Sequence, residues 1–342
     1  MVHKNISVFI PHAGCPNMCS FCNQKMISST EKAPSPDEVY QICRNQFENM
    51  QDKSDTEIAF FGGSFTAVPR DYMIALLECV QPFICKGGFD GIRISTRPDC
   101  ISDEILDILE KYNVKAVELG CQSLDDEVLS MNDRGHDVND VFNAVKLISG
   151  RGFELGLQMM TGLYGSDYEK DIKTAEIICS LKPDTVRIYP VVILKGTKLD
   201  ELYQAGIYKT HDMNYMVGLC SEIMRMFKKH DIKIIKCGLH ASETVEEDMT
   251  GGYYHPAFRE LCESSIFRNC IADALEKSSG KDFTVYVSAK NISRCIGQKR
   301  CNIKYFSDMM KNVSVKSDKS LADDEFMLYN CQKGEKNVFK IS

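Results

Sequence analysis

The chain has no excess of basic residues, no apolar run of membrane-spanning length, and no repeat or low-complexity tract. It contains 41 Lys and Arg against 48 Asp and Glu, a formal net charge of −7. This balance does not favour RNA as a partner, although a local basic patch could still bind it. The first ten residues show no signal-peptide pattern, so we expect a cytoplasmic protein that does not enter a membrane.

Sixteen cysteines stand among the 342 residues. A secreted disulfide scaffold would be short and would carry a signal peptide, so we expect free thiols in a reducing cytoplasm. Most of the scattered ones fall on predicted helix faces, where a thiol packs as a small hydrophobe. These are Cys43, Cys79, Cys85, Cys179, Cys220, Cys262 and Cys270.

Short apolar runs alternate with helical patterns from residue 6 to residue 190. Strands are predicted at 6–10, 57–61, 91–95, 116–120, 154–159 and 185–189, and helices at 34–50, 71–85, 102–112, 137–149 and 168–181. Such alternation predicts a parallel sheet covered by helices, either a barrel or a doubly wound sheet. We expect a core over 1–200, a helix and strand that close it over 201–250, and a smaller α+β region over 251–342.

Cys15, Cys19 and Cys22 lie within eight residues, directly after the first predicted strand. Three thiolates in so short a loop are typical of an iron–sulfur cluster. Zinc is the alternative, but a structural zinc site needs four ligands and usually a second pair further along the chain.

Polar or glycine-rich segments follow the later strands as well. They include Gly62-Gly63-Ser64, Ser95 with Arg97, Gln122, and Pro190. Because the carboxyl ends of parallel strands meet at one edge, we expect these segments to share a site with the three cysteines.

The spacing Cys-x3-Cys-x2-Cys, with the aromatic Phe21 before the last cysteine, resembles the signature of the radical S-adenosylmethionine (SAM) superfamily. The resemblance implies a partial (β/α)6 barrel and a 4Fe-4S cluster bound by Cys15, Cys19 and Cys22. It also implies SAM at the open iron and a low-potential electron donor such as flavodoxin or ferredoxin. The chain would then be an enzyme that cleaves SAM to a radical and acts on an unknown substrate.

The same resemblance implies a set of SAM contacts. Ser64 stands where many relatives carry Glu, so contacts in that segment would come mainly from the backbone. The implied cofactor-binding residues are Phe21, Gly62, Gly63, Ser64, Ser95, Arg97, Gln122, Arg134 and Pro190.

Three later segments resemble the Elongator catalytic subunit and related bacterial proteins. They are Gly120-Cys121-Gln122-Ser123, Arg134-Gly135-His136 and Arg187-Ile188-Tyr189-Pro190. The acetyltransferase domain of that subunit has no counterpart before Ser342, so we do not expect acetyl-coenzyme-A-dependent tRNA modification from this chain alone. The alternatives are a tRNA-modifying Elongator-like protein, a coproporphyrinogen-type dehydrogenase, and a non-catalytic zinc or iron–sulfur protein.

The C-terminal third holds weaker candidates. His240, Tyr253, Tyr254, His255 and Arg259 could cover a barrel mouth and touch substrate, and Cys295 with Cys301 could bind a second metal. The best candidate for an anionic or nucleic-acid contact is a run of basic residues: Lys290, Arg294, Lys299, Arg300 and Lys304.

Overall fold

The computed structural model describes residues 4–10, 15, 18–23, 32–239 and 243–341. They form two compact units. The first unit contains residues 1–210, 232–236 and 240–254, and the second contains 211–231, 237–239 and 255–342. The segment boundaries expected at residues 200 and 250 stay predictions.

The first unit is built on a parallel sheet. The strands of this unit are β1 (Lys4–Ile10), β2 (Thr56–Gly62), β3 (Gly91–Thr96), β4 (Val114–Gln122), β5 (Glu154–Thr161), β6 (Thr185–Pro190), β7 (Val192–Leu194), β8 (Lys233–Cys237) and β9 (Met249–Gly252). Seven of them form one curled sheet in the order β1-β2-β3-β4-β5-β6-β8, and the pairs from β1 to β6 are parallel. This half-barrel confirms the predicted partial barrel and adds β8 as a seventh strand. The remaining strands, β7 and β9, form an antiparallel pair.

Helices follow the strands as the sequence predicts. In chain order they are α1 (Pro36–Asn49), α2 (Arg70–Cys79), α3 (Asp103–Lys111), α4 (Asp126–Met131), α5 (Val138–Ser149), α6 (Tyr168–Leu181), α7 (Lys198–Gln204), α8 (Met213–Lys229), α9 (Glu243–Asp248), α10 (Phe258–Glu276), α11 (Ile292–Ile296) and α12 (Cys301–Asp308). None of the described helices is both long and apolar enough to cross a bilayer.

The starts of the covering helices are fixed by side-chain caps. Ser35 begins α1 with a capping box, in which Glu38 Oε2 accepts from the Ser35 N–H at 2.6 Å. Ser102, Asp137 and Asp167 cap α3, α5 and α6, each accepting a backbone N–H of the first turn. These caps set where each helix leaves the preceding strand-end loop.

The single helix predicted over 71–85 is wrong. The helix α2 ends at Cys79, and a 3-10 turn over Gln81–Phe83 follows it. Pro82 lacks an N–H and disfavours helical geometry at the residue before it, so the apolar periodicity continues while the helix does not.

The second unit packs helices against a small mixed sheet. Its strands β10 (Asp282–Val287), β11 (Asn312–Ser317), β12 (Glu325–Asn330) and β13 (Lys336–Lys340) lie in the order β11-β10-β12-β13. The pair β10–β11 is parallel and the other two pairs are antiparallel. Phe267 and Leu275 of α10 pack with Phe283, Phe306 and Phe326 in its core.

Candidate active site

The three cysteines of the first loop border one cavity at the carboxyl edge of the half-barrel. Cys19 is buried, and its Sγ accepts a hydrogen bond from Nη1 of Arg134 at 3.1 Å. The backbone N–H of Cys22 donates to the carbonyl of Cys19 at 3.1 Å, which folds the loop into a tight turn. The backbone N–H of Ser64 lies close enough to Cys15 to act on the pKa of its thiol. Cys15 and Cys19 thus lie beside different loops of the half-barrel.

Ser20 anchors the cysteine loop to two distant segments. Its N–H donates to the carbonyl of Asn132 at 3.1 Å, and its Oγ donates to Oδ1 of Asn132 at 2.8 Å. The Ser20 carbonyl accepts from the N–H of Leu199 at 2.8 Å. Asn132 in turn donates from Nδ2 to the carbonyl of Tyr164 at 2.8 Å. Asn132 is fully buried, so these bonds anchor the cysteine loop away from solvent. We call the contact between Ser20 and Asn132 the bracket.

Strand-end residues complete the lining of the cavity. Besides the three cysteines, the lining residues are Met18, Phe21, Gly62, Gly63, Ser95, Thr96, Arg97, Gly120, Gln122, Arg134 and Gln158. The sheet explains this convergence, because parallel strands place their carboxyl ends along one edge.

One lining glycine stands where a side chain would not fit. A Cβ on Gly62 would lie 2.9 Å from the carbonyl oxygen of Ile10, and its φ of +109° disfavours other residues. A Cβ on Gly120 would lie 3.0 Å from Nε2 of Gln122, so a side chain there would displace the Gln122 amide.

Several buried polar atoms of the lining have no partner among the described residues. They are Oε1 of Gln122, Nε of Arg134 and Nη1 of Arg97. Such orphaned atoms are costly unless something else satisfies them. The set offers one acceptor and two cationic donors beside three thiols, which fits a ligand that carries both a carboxylate and hydrogen-bond donors.

Arg97 already has one strong partner. Its Nε and Nη2 form a bidentate pair with Asp99, at 2.8 and 2.6 Å. Burial alone would raise the pKa of Asp99, but the bonds and charge of Arg97 hold it below its ordinary value. The pair fixes the guanidinium, so that its Nη1 remains available.

Burial raises the pKa of the Cys15 thiol above its ordinary value. The Ser64 N–H and the charges of Arg97 and Arg134 act to lower this pKa but do not cancel the effect of burial. A thiol of this kind is deprotonated when a metal binds it.

Seven of the nine SAM contacts implied by the resemblance line the cavity. The other two, Ser64 and Pro190, are buried and are not among the lining residues. The Ser64 side chain bonds instead to Oγ1 of Thr96 at 2.7 Å and accepts from the Arg97 N–H at 3.2 Å. Ser64 therefore orders the loops around it, and its own contact to a ligand stays a prediction.

A buried ion-pair network lies inside the sheet, and the sequence analysis did not identify it. Arg93 on β3 donates to Glu57 on β2 at 2.6 Å, to Glu118 on β4 at 3.3 Å and to Glu154 on β5 at 2.8 Å. Arg187 on β6 forms a second, bidentate pair with Glu118, with one contact of 2.9 Å. We call these five residues the strand ladder.

The strand ladder is linked to the cavity through Gln158. Its Nε2 donates to Glu118 at 2.8 Å and to Ser95 Oγ at 3.0 Å. Burial would raise the pKa of Glu118, but Arg187 and then Arg93 hold it below its ordinary value. The two-residue spacing that puts Arg93 below Ser95 and Glu118 below Gly120 is the only sequence signal of this arrangement.

The candidate site residues of the C-terminal third contact different partners. Arg259 pairs with Glu263 at 3.0 Å, and His255 Nδ1 accepts from the Ala257 N–H at 3.0 Å. Cys295 is fully buried whereas Cys301 is exposed. Among residues 4–10, 15, 18–23, 32–239 and 243–341, no three His, Cys, Asp or Glu side chains are placed to hold a metal ion. His240 lies outside the described residues.

Two family descriptions match the chain. Residues 9–178 match the Radical SAM superfamily, and residues 183–268 match the Radical_SAM C-terminal domain. Together with the parallel half-barrel and the cysteines that follow its first strand, these matches define the chain as an enzyme. The chain belongs to the radical SAM superfamily. Enzymes of this superfamily use a 4Fe-4S cluster and SAM.

Curated relatives and solved structures agree with this assignment. An uncharacterised protein of Methanocaldococcus jannaschii is 32% identical over 64% of this chain and 65% of its own length. The tRNA uridine(34) acetyltransferase of Dehalococcoides mccartyi is 25% identical over 64% of this chain and 55% of its own length. The chain therefore spans between about half and two thirds of these relatives.

One solved structure shows the same fold over most of the chain. The archaeal Methanocaldococcus infernus Elp3, with its N-terminus deleted, has a TM-score of 0.63 and 21% identity, covering 79% of this chain and 64% of that chain. At this identity the likeness concerns the fold alone.

Proposed function

We propose that Cys15, Cys19 and Cys22 hold a 4Fe-4S cluster and that the adjoining cavity binds SAM. When bound, the cluster supplies the electron that cleaves SAM to methionine and a 5′-deoxyadenosyl radical, which takes hydrogen from a substrate not yet identified. The observation that carries the proposal is the set of unpartnered atoms on Gln122, Arg134 and Arg97 beside the three thiols.

Different residues at the cavity would have different roles in binding the cluster and SAM. Arg134 places a charged donor 3.1 Å from the sulfur of Cys19, and hydrogen bonds to cluster sulfurs tune the reduction potential. Its free Nε, with Nη1 of Arg97, suits the carboxylate of SAM, since guanidinium groups bind carboxylates with fixed geometry. Gln122 Oε1 suits an ammonium or ribose hydroxyl donor.

The backbone of Gly62 and Gly63 would take the place of a side-chain contact. Ser64 is turned toward Thr96 and Arg97, so the backbone of the lining glycines, rather than the Ser64 side chain, would contact the ligand. Met18 and Phe21 line the cavity and would shield the reacting atoms from water once the ligand is bound.

The test begins with the full chain purified without oxygen and reconstituted with iron and sulfide. We expect about four irons per chain, an iron–sulfur resonance that changes when SAM is added, and 5′-deoxyadenosine after reduction. Cys19→Ala should lose the iron, whereas the matched control Cys331→Ala, at an exposed cysteine, should retain it. Stoichiometric zinc without iron, or no 5′-deoxyadenosine from fully loaded protein, would overturn the proposal.

The cavity assignment has its own readout. Gln122→Met removes the unpartnered acceptor at similar volume and should weaken SAM binding about tenfold, the value of roughly one hydrogen bond in a buried site. The exposed Gln46→Met on α1 is the control. If the two variants bound SAM equally well, Gln122 would not contact the cofactor.

A second candidate concerns the substrate class, which would be RNA. It is supported by the name of the Dehalococcoides mccartyi relative and by the basic run at the start of α12. Lys290 pairs with Asp323 and Arg294 with Glu263, so Lys299 and Arg300 are the residues to change. The double variant Lys299→Glu/Arg300→Glu should weaken tRNA binding and reduce its salt dependence by about two phosphate contacts. Binding no weaker than that of the exposed Lys86→Glu control would remove RNA from consideration at this surface.

A further inference from the structure

A line of side chains connects the strand ladder to the cavity. Nε2 of Gln158 lies 2.8 Å from Oε2 of Glu118 and 3.0 Å from Oγ of Ser95. Gln158 and Ser95 line the cavity, whereas Glu118 is fully buried. We call Glu118, Gln158 and Ser95 the serine relay.

The charge of Glu118 fixes the direction of these bonds. Glu118 is held ionised, because Arg187 donates to both of its oxygens and Arg93 donates to one of them. An ionised carboxylate only accepts hydrogen bonds, so the Gln158 amide turns its nitrogen rather than its oxygen toward Glu118.

The direction of the bond at Ser95 follows from the same amide. An amide nitrogen carries two hydrogens and does not act as an acceptor, so its second hydrogen goes to Oγ of Ser95. Oγ is therefore the acceptor in the serine relay, and the hydroxyl keeps its own hydrogen. Among the described residues this oxygen has no other hydrogen-bond partner, so the hydrogen remains available to a molecule in the cavity.

A neighbouring line of hydroxyls provides a comparison, because it closes on the protein. Thr66 uses its one hydroxyl hydrogen for the carbonyl of Cys100 at 2.7 Å, so it accepts from Thr96 at 2.6 Å. Thr96 in turn accepts from Ser64 at 2.7 Å, and Ser64 accepts from the Arg97 N–H at 3.2 Å. The hydroxyl hydrogens of Ser64, Thr96 and Thr66 are thus all used within the protein, whereas that of Ser95 is not.

We propose that Ser95 donates a hydrogen bond from Oγ to an oxygen of bound SAM and that Gln158 positions this donor. The inference rests on the proposed function, since SAM is the ligand assigned to the cavity. Glu118 acts one step further away, because its charge holds the Gln158 amide in the orientation that leaves the Ser95 hydrogen free. The serine relay therefore favours a ligand that presents an acceptor oxygen to Ser95 over one that presents a donor.

The experiment measures SAM affinity by calorimetry on the full chain, reconstituted with iron and sulfide without oxygen. Ser95→Ala removes the donor and should weaken SAM binding about tenfold, the value of roughly one hydrogen bond in a buried site. The exposed Ser149→Ala on α5 is the matched control and should bind SAM as the wild type does. Iron content is measured for every variant, so that loss of the cluster is told apart from loss of the cofactor contact.

Gln158→Glu tests the positioning role. The introduced carboxyl offers an acceptor to Ser95 in place of the amide donor, so the Ser95 hydrogen turns back toward position 158 and is lost to the ligand. We expect SAM binding to weaken about tenfold here as well. The double variant Ser95→Ala/Gln158→Glu should bind within about twofold of Ser95→Ala, because both changes remove the same bond. Gln158→Met repeats the cycle without an added charge, and the exposed Gln46→Glu is the control.

Each possible failure has a distinct result. Equal SAM affinity of Ser95→Ala and Ser149→Ala, at wild-type iron content, would show that Ser95 donates no bond to the cofactor. Double variants whose loss is the product of the two single losses would refute the positioning role of Gln158. Wild-type protein with a full cluster that binds no SAM would overturn the proposed function together with this inference, and that result needs no variant.

Discussion

Removing the central charge of the strand ladder should destabilise the first unit strongly. In the variant Glu118→Gln the side chain keeps its shape, but Arg187 loses its bidentate carboxylate and Arg93 loses one of three. Glu118 is fully buried and Arg187 is 8% exposed, so water cannot replace the lost partner. Breaking a buried ion pair by removing one member costs about 3–5 kcal/mol.

The magnitude can be read as a melting temperature. For a unit of about 200 residues, 1 kcal/mol corresponds to a shift of about 2–4 °C, so we expect a loss of roughly 6–20 °C by circular dichroism. Amide hydrogen exchange should place the loss in β2 to β6, because the ladder joins those strands. The exposed pair of Arg44 and Glu48 supplies the control, and Glu48→Gln should change stability by less than about 0.5 kcal/mol.

The double variant Glu118→Gln/Arg187→Met tests the reasoning. If the cost comes from an uncompensated buried charge, removing the second charge should recover part of the stability lost by Glu118→Gln alone. A single variant within about 1 kcal/mol of wild type, or a double variant that loses the sum of both single changes, would refute the argument.

Two further predictions concern the surroundings of the cysteine loop. Asn132→Ala removes the acceptor of Ser20 Oγ and leaves the Tyr164 carbonyl without its donor. It should cost about 1–3 kcal/mol and speed the alkylation of Cys19 in metal-free protein; an unchanged rate, equal to that of the exposed Asn45→Ala, would contradict the bracket. Burial, and next the charge of Arg134, lower the pKa of His136 to about 4. The unfolded chain therefore takes up this proton first, and the contribution of neutral His136 to stability is lost as pH falls from about 6.5 towards 4. His136→Asn should flatten that part of the melting profile, and an unchanged pH dependence would contradict it.

Local signals predicted the elements that depend on local physics. Apolar runs and helical periodicity predicted the main strands and helices, and the cysteine spacing led to the family. The helix predicted over 71–85 failed for a local reason, the proline at position 82. The mostly exposed edge strands β11 and β13 depend on non-local structure, because β10 and β12 supply their hydrogen bonds.

The candidate site divides along the same line. Its position at the strand ends follows from the alternation of strands and helices. The contact of Arg134 with Cys19 and the bracket between Ser20 and Asn132 join residues more than a hundred positions apart. Such contacts depend on register and loop closure, which periodicity does not contain.

Polar groups are paired in one layer of the half-barrel and partly unpaired in the next. This contrast is the strongest physical argument for a ligand at the edge of the half-barrel. In the strand ladder every charged group meets an opposite charge, and Gln158 adds its amide to Glu118. One layer higher, Gln122 and Arg134 keep buried atoms that nothing in the described chain satisfies. A sheet that pairs its deeper charges could have paired these as well, for example through a polar side chain at Gly120, where a Cβ would instead crowd Gln122. The unpaired atoms are therefore expected to find their partner in a bound molecule rather than among the described residues.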